Sequence, residues 1–96
     1  MSTPVIFKKS PEDQIVAFFP CEPGTNDVGT CTCYAHVGQH SSADIALCRL
    51  WPRAEPADYA DLLAELVSIG YGDLKIVHRF AQTYRRARKE AIASIT

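Results

Sequence analysis

The chain is 96 residues long and 47% hydrophobic, and its ten basic and eleven acidic side chains leave a net charge of −1. That length supports one compact core over residues 1–96 and excludes a second domain or a large buried active site. No apolar run approaches the roughly 20 residues of a membrane span, and Met1-Ser2-Thr3-Pro4 lacks the order of a signal peptide. The expected setting is therefore the cytoplasm, with no membrane partner and with the four cysteines as free thiols.

Val5-Ile6-Phe7-Lys8 and Gln14-Ile15-Val16-Ala17-Phe18-Phe19 are β-branched and aromatic around a polar, proline-containing turn, so an opening hairpin is expected. Pro20, Pro23, Gly24, Asn26, Asp27 and Gly29 then place a loop over residues 20–30. A third strand follows from Thr30 to His36. In a regular strand Cys31, Cys33 and Ala35 point to one face while Thr32, Tyr34 and His36 point to the other. Gly38 is expected to end the strand, and Ser41 or Ser42 to cap a short helical turn through Asp44. Periodicity leaves Ile45 to Trp51 open between strand and helix.

The next signal is helical. Pro56 suits a first turn, Tyr59, Leu62, Leu63, Leu66 and Ile69 recur at helical spacing, and Gly70 suits the C-terminal cap. Asp58, Asp61 and Glu65 then form a solvated face. Leu74 to Phe80 alternates as a strand with Leu74, Ile76, His78 and Phe80 together, which makes His78 a core-edge histidine. A helix over 81–95 completes the chain. The expected fold is α+β: a small antiparallel sheet of about four strands packed by one main helix, with a C-terminal basic helix. The domain core lies in residues 4–80 and draws on Ile6, Ile15, Ala17, Phe19, Leu62, Leu63, Leu66, Ile69, Ile76 and Val77.

Cys31, Cys33, His36 and His40 are the residue types that bind zinc, and four such ligands would stabilise a small fold. Strand alternation separates both cysteines from His36, and no second knuckle completes the pattern. The same thiols and imidazoles lack a fixed nucleophile–base pair, so no catalytic residue is assigned and the chain is read as non-enzymatic. Pro23-Gly24-Thr25 and Val28-Gly29-Thr30 lack the lysine of a phosphate loop.

Residues 1–78 hold five basic and ten acidic side chains, whereas 79–96 hold five basic and one acidic. The basic tail of Arg79, Arg85, Arg86, Arg88 and Lys89, with Tyr84, is the segment able to reach phosphates or an acidic partner. Tyr34 on an outer sheet face and Trp51 are further anchors for a protein partner.

The run Tyr34-Ala35-His36-Val37-Gly38-Gln39-His40-Ser41-Ser42-Ala43-Asp44, with Val5-Ile6-Phe7, Ala17-Phe18-Phe19-Pro20 and Tyr59 to Leu66, resembles small uncharacterised proteins of bacterial mobile elements: integrative elements, plasmids and prophages. The resemblance spans most of residues 5–79 and implies a setting rather than a reaction. The leading expectation is a non-enzymatic interaction protein that binds a host or element protein and modulates a defence or regulatory complex. The alternative is a module stabilised by zinc through the Cys/His run, or one contacting nucleic acid through the tail. Sequence does not fix the oligomeric state.

Overall fold

A computed structural model describes residues 2–35 and 39–95. The opening hairpin forms as expected, with β1 (Thr3–Lys9) antiparallel to β2 (Ile15–Phe19) and Ile6 opposite Phe18. Its turn is closed by Ser10, whose Oγ accepts from the backbone N–H groups of Glu12 and Gln14 at 3.3 and 3.1 Å. Asp13 takes a positive φ of 63°, which a short polar side chain tolerates.

After the loop, β3 (Thr30–Ala35) pairs with β2, and β4 (Gln39–Asp44) pairs with β3. Ser41 and Ser42 are thus strand residues rather than helix caps, because pairing against β3 satisfies backbone groups that serine propensity alone would leave free. The cap is Asp44, whose Oδ1 accepts from Ala46 N–H at 2.9 Å and starts the one-turn helix α1 (Ile45–Cys48). Of the open segment only Ile45–Cys48 is thus helix, and Arg49, Leu50 and Trp51 form a turn after it. Gly38 lies outside the described residues.

Helix α2 (Pro56–Ser68) begins with Pro56 in its first turn, and Asp58 Oδ2 accepts from the Glu55 backbone N–H at 3.0 Å. It ends in a Schellman arrangement: Tyr71 N–H reaches the Leu66 carbonyl at 3.1 Å, Gly70 N–H reaches that of Val67 at 3.2 Å, and Gly70 sits at φ 123°. Ile69 caps this helix and is 50% exposed, so it leaves the expected core.

The expected strand over 74–80 keeps only β5 (Leu74–Ile76), which pairs in parallel with β1 and makes a five-stranded sheet of order β4-β3-β2-β1-β5. The chain leaves the ladder after Val77, so Phe80 turns to the opposite side from Leu74 and Ile76, and His78 is exposed rather than core-edge. Helix α3 (Gln82–Ile95) follows.

Both sheet faces are covered. Val5, Phe7, Ala17, Phe19 and Tyr34 pack with Tyr59, Leu62 and Leu66 of α2, Phe7 and Tyr59 stacking at 4.3 Å between ring centroids. Ile6, Phe18, Cys31 and Cys33 pack with Ile45 and Cys48 of α1, edged by Trp51, Val77 and Phe80. Each large side chain fully removed from water contributes about 1.5–3 kcal/mol, which explains why β1 and β2 are continuous apolar runs rather than alternating ones. Tyr34, expected on an open face, is 1% exposed. Its hydroxyl donates to the Glu65 carboxylate, so Glu65 leaves the expected solvated face while Asp58 and Asp61 stay exposed.

Candidate interaction face

The Cys/His run is divided by the sheet. Cys31 and Cys33 are buried on the α1 side, with Cys33 Sγ 3.1 Å from Ser41 Oγ. His40, the β4 partner of Tyr34, lies on the α2 side, edge-on to the Tyr34 ring at 4.7 Å and with Nε2 3.1 Å from the Tyr71 hydroxyl. His36 lies outside the described residues. Among the described residues no three His, Cys, Asp or Glu side chains are grouped to hold a metal ion. Cys21, Cys31, Cys33 and Cys48 are free thiols. Burial pushes Cys31 up to about 12 and Cys48 up to about 11. A thiol held protonated at neutral pH is a poor ligand and a poor nucleophile.

The basic tail is divided as well. Arg88 is buried, donating Nε–H to the Val28 carbonyl at 2.8 Å and Nη1–H to the Pro20 carbonyl at 2.7 Å, so it ties α3 to the loop after β2. Arg85, Arg86 and Lys89 are exposed and, with Gln82 and Thr83, line a shallow groove of about 310 Å³. Arg79, His78 and Tyr84 line a second groove with Arg53, of about 450 Å³.

Two more grooves join these. Arg49 and Arg85 share one of about 320 Å³ beside Ile45 and Phe80. The last, also about 320 Å³, runs past Arg49, Leu50, His78, Arg79 and Phe80. Among the described residues lining the four grooves there is no carboxylate. The buried Lys8 edges the last groove, but its Nζ donates to the Trp51 carbonyl at 3.0 Å, and burial lowers its pKa. Trp51 itself is half-buried, its ring edge-on to Phe18 at 5.9 Å.

The face therefore carries six exposed cations, Arg49, Arg53, Arg79, Arg85, Arg86 and Lys89. Leu50, which lines the last groove, is 75% exposed just after α1, and Leu47 of α1 is 66% exposed. Leu47, Arg49 and Leu50 lie in the segment whose element type periodicity leaves open, and Arg53 just beyond it, so the sequence does not single them out. On the other side of the sheet, α2 exposes Asp58 and Asp61 and has no Lys or Arg. A net charge of −1 thus conceals a cluster of cations along these grooves, apart from the α2 helix, whose charged residues are all acids. Among the described residues no helix is long and apolar enough to cross a membrane. No family model, curated protein or solved structure matches this chain.

Proposed function

We propose that this chain is a non-enzymatic interaction protein of a bacterial mobile element that docks its α1/α3 face on an acidic protein surface of the host or the element. The observation that supports this reading is the highly exposed Leu50 sharing a groove with Arg49 and Arg79. Apolar anchors that dewet at the centre, with arginines around them, are the composition of protein interfaces. The cations steer encounter with an acidic partner and raise its association rate, more so at low salt. Occupying such a surface would modulate a defence or regulatory complex by excluding its other partners, in the cytoplasm and without a cofactor.

A nucleic-acid backbone would engage the same cations but make little use of Leu47 and Leu50, and a pI near 6.3 is far from that of a dedicated nucleic-acid domain. The test places a photo-crosslinking residue at Leu50, and as control at Asp61, in cells carrying the element. A discrete protein adduct from position 50 alone, lost when Arg49 and Arg85 are changed to Glu, supports the reading. A nuclease-sensitive adduct transfers the face to nucleic acid, and equal labelling from both positions rejects it.

A further inference from the structure

The two edges of the sheet are guarded differently. β5 is three residues long and exposes Lys75, which blunts it against further pairing. β4 is six residues long, Gln-His-Ser-Ser-Ala-Asp, with neither proline nor lysine. Its outward groups follow from the ladder. Thr32 donates its N–H towards the β2 side, to the Glu22 carbonyl at 2.9 Å, so the neighbouring Cys31 and Cys33 face β4. Their partners Ala43 and Ser41 then point inward, and Ile45 N–H continues that parity by reaching the Gly29 carbonyl at 3.0 Å. His40, Ser42 and Asp44 are left to present their backbone N–H groups outward, where no backbone hydrogen bond among the described residues meets them.

We infer that this edge pairs with β4 of a second copy, antiparallel about a two-fold axis at Ser42. Only residues of the outward parity can exchange ladder bonds, and the register centred on Ser42 engages all three. It sets Ser42 against Ser42 of the second copy and His40 against Asp44 of the second copy, at both ends. Directly opposed residues share a face, so each imidazole, held at Nε2 by Tyr71, lies on the same face as a carboxylate whose Oδ1 caps α1, and Ser41 opposes the small Ala43 between them. An edge that sets an imidazole opposite a carboxylate at both ends fits its own copy better than an arbitrary extended peptide. The two five-stranded sheets then run on as one, and the paired chains display two α1/α3 faces.

The experiment is light scattering of the full chain over a dilution series. The expected result is twice the 10.6 kDa chain mass, falling to the single mass on dilution. Ser42→Pro deletes an outward N–H and leaves the inward ladder intact, so a folded, monomeric variant is expected. His40→Asp opposes like charges at both ends and weakens the dimer about tenfold. A wild-type chain that stays monomeric, or a dimer that survives a folded Ser42→Pro variant, overturns the inference. Should Ser42→Pro fail to fold, His40→Asp decides: weakened pairing supports it and unchanged pairing overturns it.

Discussion

Arg88 in α3 donates Nη1–H to the carbonyl of Pro20, 68 residues earlier in the chain, while its Nε–H reaches Val28. A charged donor group shared between two carbonyls pins the C-terminal helix to the loop after β2. Arg88→Ala leaves those carbonyls without their donors, and stability should fall by about 2–3 kcal/mol in urea denaturation. Arg88→Lys keeps the charge but not the fork that reaches both oxygens, so it should recover only part. Arg85→Ala, on the exposed side of the same helix, should change stability by less than about 0.5 kcal/mol. Equal stability of the Arg88→Ala and Arg85→Ala proteins would refute the clamp.

Tyr34 and Glu65 join β3 to α2 through a hydroxyl that donates to a carboxylate. Tyr34→Phe keeps the ring that packs on His40 and removes the donor, so a loss of about 1–2 kcal/mol is expected. A double-mutant cycle with Glu65→Gln should return a coupling of about 1 kcal/mol, whereas additive losses would show that the two groups act separately.

The parts of the fold legible in sequence carry local signals: the hairpin with its polar turn, Pro56 and Gly70 bounding α2, and the helix after Phe80. The rest depends on pairing between distant segments. Strand alternation separates Tyr34 from Cys31 and Cys33, yet it does not tell that α2 covers one face and α1 the other, so it leaves Tyr34 in solvent. Ser41 and Ser42 carry little strand propensity and join the sheet only because β3 offers a ladder. For the interaction face, composition marked the tail, but it could not distinguish the buried Arg88 from Arg85 or bring Arg49 and Arg53 beside them.

Two glycines make opposite demands. A Cβ on Gly24 would stand 2.4 Å from Ser42 Cβ and 2.7 Å from the Cys31 carbonyl oxygen, so the loop must move off the sheet. Gly24→Ala should cost about 1–3 kcal/mol, as overpacking does. Gly70 has open space around it, and its φ of 123° is the only obstacle. Gly70→Ala should cost about 1 kcal/mol through backbone strain. Thermal unfolding of the pair checks the order, and a milder effect at Gly24 would contradict the close approach.

The buried thiols make stability fall with rising pH above the neutral range. Burial holds the folded pKa of Cys31 up at about 12 and that of Cys48 at about 11, against an ordinary value of 9.0. Below that ordinary value both folded and unfolded thiols stay protonated and stability is unaffected. Between it and the folded values the unfolded chain releases protons that the folded chain retains, so unfolding is favoured progressively. The melting temperature should therefore decline through this window, and Cys31→Ala, though less stable throughout, should show a shallower decline. The same burial orders reactivity: with a thiol reagent at pH 8, the half-buried Cys21 should react first, and Cys31 and Cys48 only as fast as the domain opens. Simultaneous labelling of Cys21, Cys31 and Cys48 in the native protein would contradict that packing.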